Sequence, residues 1–141
     1  MSIEPLYTRE ILRLAASLSP TTVLGSPDGE AERRSATCGS RVRSQVRLVD
    51  ARVGEFAQAV EACAFGQASA AIVAIEAPGK SLAELSALRA RLGDWLGGEG
   101  EPGPFAPLVP ARAKSGRHGA ILLPLDALLA ALGDAHARSD A

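Results

Sequence analysis

Aromatic residues make up only 4% of this chain, with one tryptophan, one tyrosine and three phenylalanines. That is too few for a surface on which nucleic-acid bases would stack. Charge of one sign is also missing: 15 basic against 16 acidic residues leave a formal net charge of −1. Neither nucleic acid nor an anionic membrane is drawn to such a chain by bulk electrostatics. No apolar run approaches the ~20 residues of a membrane span. The opening Met1-Ser2-Ile3-Glu4-Pro5 lacks the basic region and apolar core of a signal peptide. A cytoplasmic protein is the expectation. Cysteine is limited to Cys38 and Cys63, with no Cys-x-x-Cys. In a reducing compartment a disulfide between them is the lesser use of the pair.

What remains is 141 residues, 47% of them hydrophobic, enough for one globular domain with its own core. Between the two cysteines the pattern has period two. Val42, Ser44, Val46 and Leu48 share one face; Arg41, Arg43, Gln45 and Arg47 take the other. This is a strand with one wet face. A turn at Asp50-Ala51-Arg52 and a second run, Phe56 to Cys63, complete a hairpin. Eight or so residues out and eight back, at ~3.3 Å each, return Cys63 to the sheet end where Cys38 lies. Gly39 permits a tight turn beside the first thiol.

The flanks are read in order. Residues 5–18 predict an amphipathic helix, with Pro5 in its first turn and Ser19-Pro20 ending it. Residues 19–30 predict a loop. Ala31 to Thr37 predict a first, edge strand. Small apolar residues from Ala64 to Ala77 predict a buried helix stopped by Pro78-Gly79. Ser81-Leu82-Ala83-Glu84 is a capping-box pattern. It opens a helix with Leu82, Leu85, Leu88, Leu92 and Trp95 at helical spacing. Residues 97–104 predict a flexible connector, followed by a short element near Leu108 to Ala113. A last helix from Ser115 to Leu132 should be kinked or restarted by Pro124. Residues 134–141 predict a flexible tail behind a domain of residues 1–133. Strands grouped ahead of helices indicate α+β: a small three-stranded antiparallel sheet covered by helices on one face.

Thr37-Cys38-Gly39-Ser40, the hairpin, and Cys63-Ala64-Phe65-Gly66-Gln67-Ala68-Ser69-Ala70 together resemble the U-type iron–sulfur cluster assembly scaffolds, the NifU N-terminal, IscU and SufU group. Arg117-His118-Gly119-Ala120-Ile121-Leu122 is similar to that family's segment holding its third cysteine. The resemblance runs from about Leu6 to Leu132. It implies the SufE/IscU-like fold and a scaffold rather than an enzyme. It also implies a transient iron–sulfur cluster or zinc as what is bound, a cysteine desulfurase and cluster carriers or acceptors as partners, and possible homodimers. Carried over position by position, Cys38, Cys63 and His118 become the metal-facing residues, with Cys38 and Cys63 as the cluster ligands. Ser40 stands where the family has an aspartate, and Gly119 where it has the third cysteine.

Two thiolates and an imidazole suit zinc or iron. Iron–sulfur clusters are usually held by four thiolates. One chain offers two, so a dimer or an added thiol such as glutathione would have to supply the rest. As plain structure, the two cysteines would be small core residues and His118 an exposed or capping side chain. Two other classes stay open. One is a docking module that keeps the scaffold fold without a cluster. The other is a thiol enzyme using Cys63 at a helix start.

Overall fold

The computed structural model describes residues 8–18, 23–36 and 39–139. Helix α1 spans Arg9–Ser17, β1 Gly29–Arg34, β2 Arg41–Val49 and β3 Arg52–Glu61. Helix α2 spans Ala64–Glu76, α3 Leu82–Leu96, a 3-10 helix Gly103–Ala111, and α4 Ser115–Ser139. The sheet is antiparallel in the order β1-β2-β3. The expected α+β class is what the chain adopts.

The two faces of β2 separate as the alternation requires except at Gln45, expected on the wet face but buried, where it accepts from the Leu24 amide and donates to Glu30, each at 3.0 Å. Val42, Ser44 and Val46 are buried, while Arg43 is exposed. On the wet face Arg43 reaches Glu30 of β1 at 3.0 Å and Arg47 reaches Glu55 of β3 at 2.8 Å. Exposed pairs of this kind set register more than they stabilise. The β2–β3 turn is two residues long. Asp50 and Ala51 both have positive φ, 53° and 62°, the geometry whose twist suits a tight hairpin. Behind it the register slips between Arg47 and Leu48, so that Gly54 forms a bulge. Beyond the bulge, Val53 donates to the Lys80 carbonyl at 3.0 Å and accepts from Gly79 at 2.8 Å. The stretch after α2 is thereby tied to the sheet.

Helix α1 starts at Thr8, whose hydroxyl accepts from the Ile11 amide at 3.1 Å. The helix expected from residue 5 is corrected at Thr8, whose backbone is extended at φ −76° and ψ 162°; residues 5–7 lie outside the described residues. Helix α3 carries the capping box read from the sequence: Ser81 accepts from the Glu84 amide at 3.1 Å, and Glu84 accepts from the Ser81 amide at 3.2 Å. Leu85, Leu92 and Trp95 are buried, as their spacing foretold.

Four local expectations need correction. The first strand begins at Gly29 and ends at Arg34 rather than running from Ala31 to Thr37. Asp28 and Gly29 can start it because Gly29 lies flat against α4, where the Ala131 carbonyl and Ala135 leave no room for a Cβ. The connector is non-helical over residues 97–102 as expected, but the short element is a 3-10 helix that begins earlier, at Gly103, and ends at Ala111, anchored by buried Phe105, Leu108 and Ala111. Pro124 neither kinks out nor restarts the last helix; α4 continues through it. Packing on both sides replaces the one missing hydrogen bond. Residues 134–139 are helical, not a tail. Asp134 accepts from the Glu30 amide at 3.0 Å, covering part of the β1 edge, and Ala135 is buried. At 25 residues α4 is apolar enough on average to cross a bilayer, but here Leu123, Ala127 and Leu128 are buried inside the domain.

Two tests follow from this architecture. Ala51 holds a left-handed conformation that costs a residue with a Cβ about 1–2 kcal/mol. Ala51→Gly should raise the free energy of urea unfolding by about 1 kcal/mol, the remainder being lost to the freer unfolded chain; an unchanged or lower value counts against the turn. Glu84 is held below the ordinary carboxylate value of 4.5, chiefly by the Ser81 amide and then by the Arg52 guanidinium and the Ser81 hydroxyl. Glu30 is lowered in the same way by Gln45 and Arg43. A carboxylate depressed in the folded state stabilises above its unfolded value, and that stability fades as pH falls through the folded value. Acid unfolding should therefore steepen below about pH 4.5, and Glu84→Gln should flatten part of that limb. Parallel acid limbs for the two proteins would be the contrary result.

Candidate functional site

Arg41 opens β2 and pairs across the sheet with Arg34 of β1 and Glu61 of β3. The β1–β2 connection and the β3–α2 junction therefore leave the sheet at the same end. Arg41 ties the three strands together there. Its guanidinium contacts Glu61 and lies 3.8 Å from Glu32. The pairing with Glu61 further favours its charged form.

Cys38 lies outside the described residues, so its side chain and its distance to Cys63 are not part of this geometry. Its neighbour Gly39 has φ +70°, a conformation that suits glycine, with open space where a Cβ would stand. Ser40 is 4% exposed, and its carbonyl accepts from the Ser35 amide at 2.9 Å. That is the closing bond of the loop, in keeping with a turn residue.

Cys63 is a free thiol, half-buried against the main core cluster. It is the N-cap of α2, in extended conformation at φ −65° and ψ 173°. Its carbonyl accepts from the Gln67 amide at 2.9 Å, while its side chain makes no capping bond. A negative charge bound there would meet the positive end of a 13-residue helix.

The first turns of α2 are fixed on α4. A Cβ on Gly66 would stand 2.6 Å from the Ala62 Cβ, 3.2 Å from the Ala120 carbonyl oxygen and 3.4 Å from the Ala120 Cβ. The contact that excludes a Cβ is the one to Ala62 just ahead of α2, and the two to Ala120 are tight. Three residues on, the buried Ser69 hydroxyl donates to the Ile121 carbonyl at 2.6 Å. Cys63 is thus carried one turn beyond the point where α2 crosses α4.

His118 is in the first turn of α4, half-buried. Its Nε2 is 2.6 Å from the carbonyl oxygen of Arg112. A carbonyl only accepts, so Nε2 carries the proton in this bond. Arg112 is itself fastened: its Nε donates to the Trp95 carbonyl at 2.7 Å, and its guanidinium lies 5.3 Å from the centre of the Trp95 ring. At about 100° per residue, His118 leaves α4 roughly 160° around from Ala120. Its Nε2 side therefore meets the end of the 3-10 helix, while Ala120 lies against Gly66 of α2. Two of the three expected ligands, Cys63 and His118, sit at the starts of α2 and α4. Among the described residues no three His, Cys, Asp or Glu side chains cluster as a metal site. Sequence reading gave Arg112 and Trp95 no part in this region. The only available signal was an arginine six residues before a histidine, which has no meaning until the intervening turn is known.

Compared with solved structures, the chain is similar to the N-terminal part of a nitrogen-fixing NifU-like protein from Brucella abortus. The two share 32% identity over 94% of this chain and 95% of that one, with a TM-score of 0.85. It also shares the fold of a SUF-system iron–sulfur cluster assembly scaffold candidate from Fervidobacterium islandicum, at 18% identity, TM-score 0.80, covering 90% of this chain and 96% of that one. No protein-family profile and no curated protein matches the chain.

The glycine contact gives a direct test. Gly66→Ala should lower the thermal midpoint by several degrees, since overpacking a tight helix crossing costs about 1–3 kcal/mol. Ala62→Gly in the same chain should recover part of the loss. A Gly66→Ala protein as stable as the parent would mean the crossing is looser than described.

Proposed function

The chain belongs to the family of U-type iron–sulfur cluster assembly scaffolds, and on that premise we propose that iron and sulfide, or a nascent cluster, are its cargo. The cargo is received at the sheet end where the β1–β2 connection and the start of α2 leave together. Cys38 and Cys63 are the proposed thiolate donors. His118 is the proposed third donor; its Nε2–H is given to the Arg112 carbonyl, which would leave Nδ1 for the cargo. The observation that carries this reading is the placement of Cys63: a free, half-buried thiol at a helix start, beside the connection that holds the other cysteine. Soft donors of this kind accept iron or zinc.

Ser40 and Gly119 bring no carboxylate and no third thiol. With fewer than four thiolates on one chain, the cargo is held weakly and released readily. Two copies could pool four cysteines, or a small thiol could complete the set. A cysteine desulfurase as sulfur donor and a carrier or acceptor as recipient follow from the same proposal, as does a cytoplasmic setting. The chain itself performs no covalent catalysis in this scheme.

A second reading is favoured by the same departures. The protein would keep the scaffold fold as a docking module for a desulfurase, without loading a cluster.

The deciding experiment is anaerobic titration with iron, and separately with zinc, on the wild type and on a Cys38→Ser/Cys63→Ser variant. The wild type should take up metal weakly, and the variant should take up none while keeping its far-UV circular dichroism. Equal uptake by both proteins would remove these cysteines from the site. No uptake by either, with desulfurase binding retained, would establish the docking module.

A further inference from the structure

The covered face of the sheet is built in layers, one residue from each strand. Gly29, Val46 and Phe56 form one layer; Ala31, Ser44 and Gln58 the next; Arg33, Val42 and Val60 the last, at the thiol end. Val46 and Phe56 pack in the main core with Phe65, Ile121 and Leu125. The last layer does not join that core. Val42 and Val60 pack instead with Leu123 and Ala127 of α4 in a small separate cluster, and Arg33 beside them is exposed.

The middle layer divides the two clusters. Ser44 is fully buried, yet its hydroxyl has no hydrogen-bond partner among the described residues. Gln58, directly opposite, donates its Nε2 to the Ala70 carbonyl at 2.8 Å, while its buried Oε1 has no partner among those residues. A buried polar atom without a partner bears the full cost of leaving water. Two such atoms on facing residues make this the weak layer of the covered face.

We propose that the Ser44–Gln58 layer is a break line: the thiol end of the sheet opens from α4 as one unit while the main core stays closed. The unit comprises residues 32–34, 41–43 and 59–61, which pair with one another across the three strands. Arg41 holds the strand ends together through Glu61 and Glu32, so they move as one. The surface that parts is the contact of Val42 and Val60 with Leu123 and Ala127. Local opening is easiest where few buried apolar contacts must separate. Opening also brings Ser44 and Gln58 to solvent, which satisfies their orphaned atoms. The β1–β2 connection and the strand end ahead of α2 leave with the unit. Helix α2 itself stays, because Gly66 and Ser69 fix it on α4. None of this depends on what cargo the protein carries, and the test below uses no metal.

The test is native-state amide hydrogen exchange, read by magnetic resonance in guanidinium chloride below the unfolding range. The Ser40 and Val46 carbonyls accept from the β1 side, from Ser35 and Asp28. Odd-numbered residues of β2 between them therefore bond toward β3. Arg43 with Ala59, and Gln45 with Ala57, are thus hydrogen-bonded pairs on either side of the break line. Arg43 and Ala59 should exchange through one shared opening that depends weakly on denaturant. Gln45 and Ala57 should exchange with the full denaturant slope of global unfolding. Ser44→Ala removes one orphaned hydroxyl and should slow exchange at Arg43 and Ala59 about tenfold.

Three results overturn the break line. One is the full global slope at Arg43 and Ala59. Another is a graded series from Arg41 inward through Gln45, which is ordinary fraying of strand ends. The third is unchanged or faster exchange at Arg43 and Ala59 in Ser44→Ala, which would mean that the hydroxyl is not the weakness. The wild-type pattern decides between a step and a gradient even if that variant fails to fold.

Discussion

Everything at the candidate site depends on how closely α2 approaches α4. Gly66 has no side chain to keep the two helices apart, and Ser69 hydrogen-bonds to Ile121, the next residue of α4. The rest follows from that crossing. Helix α2 can run back along β3 only if its first turns are fixed, and its far end then delivers Gly79 and Lys80 to Val53. Cys63 sits just ahead of the crossing, so its position is set by a contact between two helices rather than by the loop that contains it. A thiol on a loop alone would be held less well.

Opposite this crossing the sheet contributes a different kind of order. Its wet face carries arginines in the central strand and glutamates on the strands beside it. These pairs are exposed and individually weak. Their arrangement still matters at one place. Arg41 meets acidic side chains from both neighbours at the end where the two cysteine-bearing connections leave. The three strand ends are aligned there by charge, while the thiol end itself is formed by chain reversals.

Local chemistry was the legible part of the sequence. Val42, Val46 and Leu48 marked β2 because alternation is a property of the strand itself. Ser81 and Glu84 marked the start of α3 because a capping box is complete within four residues. What escaped was decided at a distance. Glu32, Arg33 and Arg34 obscured β1, whose place is fixed by Gly29 lying on α4. Residues 134–139 read as a tail because Asp134 finds its partner, the Glu30 amide, 104 positions away. At the site, the absence of a carboxylate at Ser40 and of a thiol at Gly119 was plain from the sequence. The direction of His118 was not, since it depends on where α4 begins and on the turn that brings Arg112 beneath it. The family likeness supplied the right fold and a ligand list. It could not supply the imidazole's present partner.

Pro124 has a mechanical meaning beyond its tolerance inside α4. A proline at this position withholds the hydrogen bond that the Ala120 carbonyl would otherwise receive. That carbonyl lies against Gly66, at the helix crossing. The rung missing from α4 is thus at the one level where another backbone presses on it. A helix bends most easily where a rung is missing. Beyond Pro124, Leu125, Ala127 and Leu128 are locked into the core; before it Ala120, Ile121 and Leu123 are buried as well, and only the opening run of residues 115–119 holds no buried residue. The missing rung is therefore clamped on both sides by packing, and α4 carries its first turn to the crossing as one continuous helix.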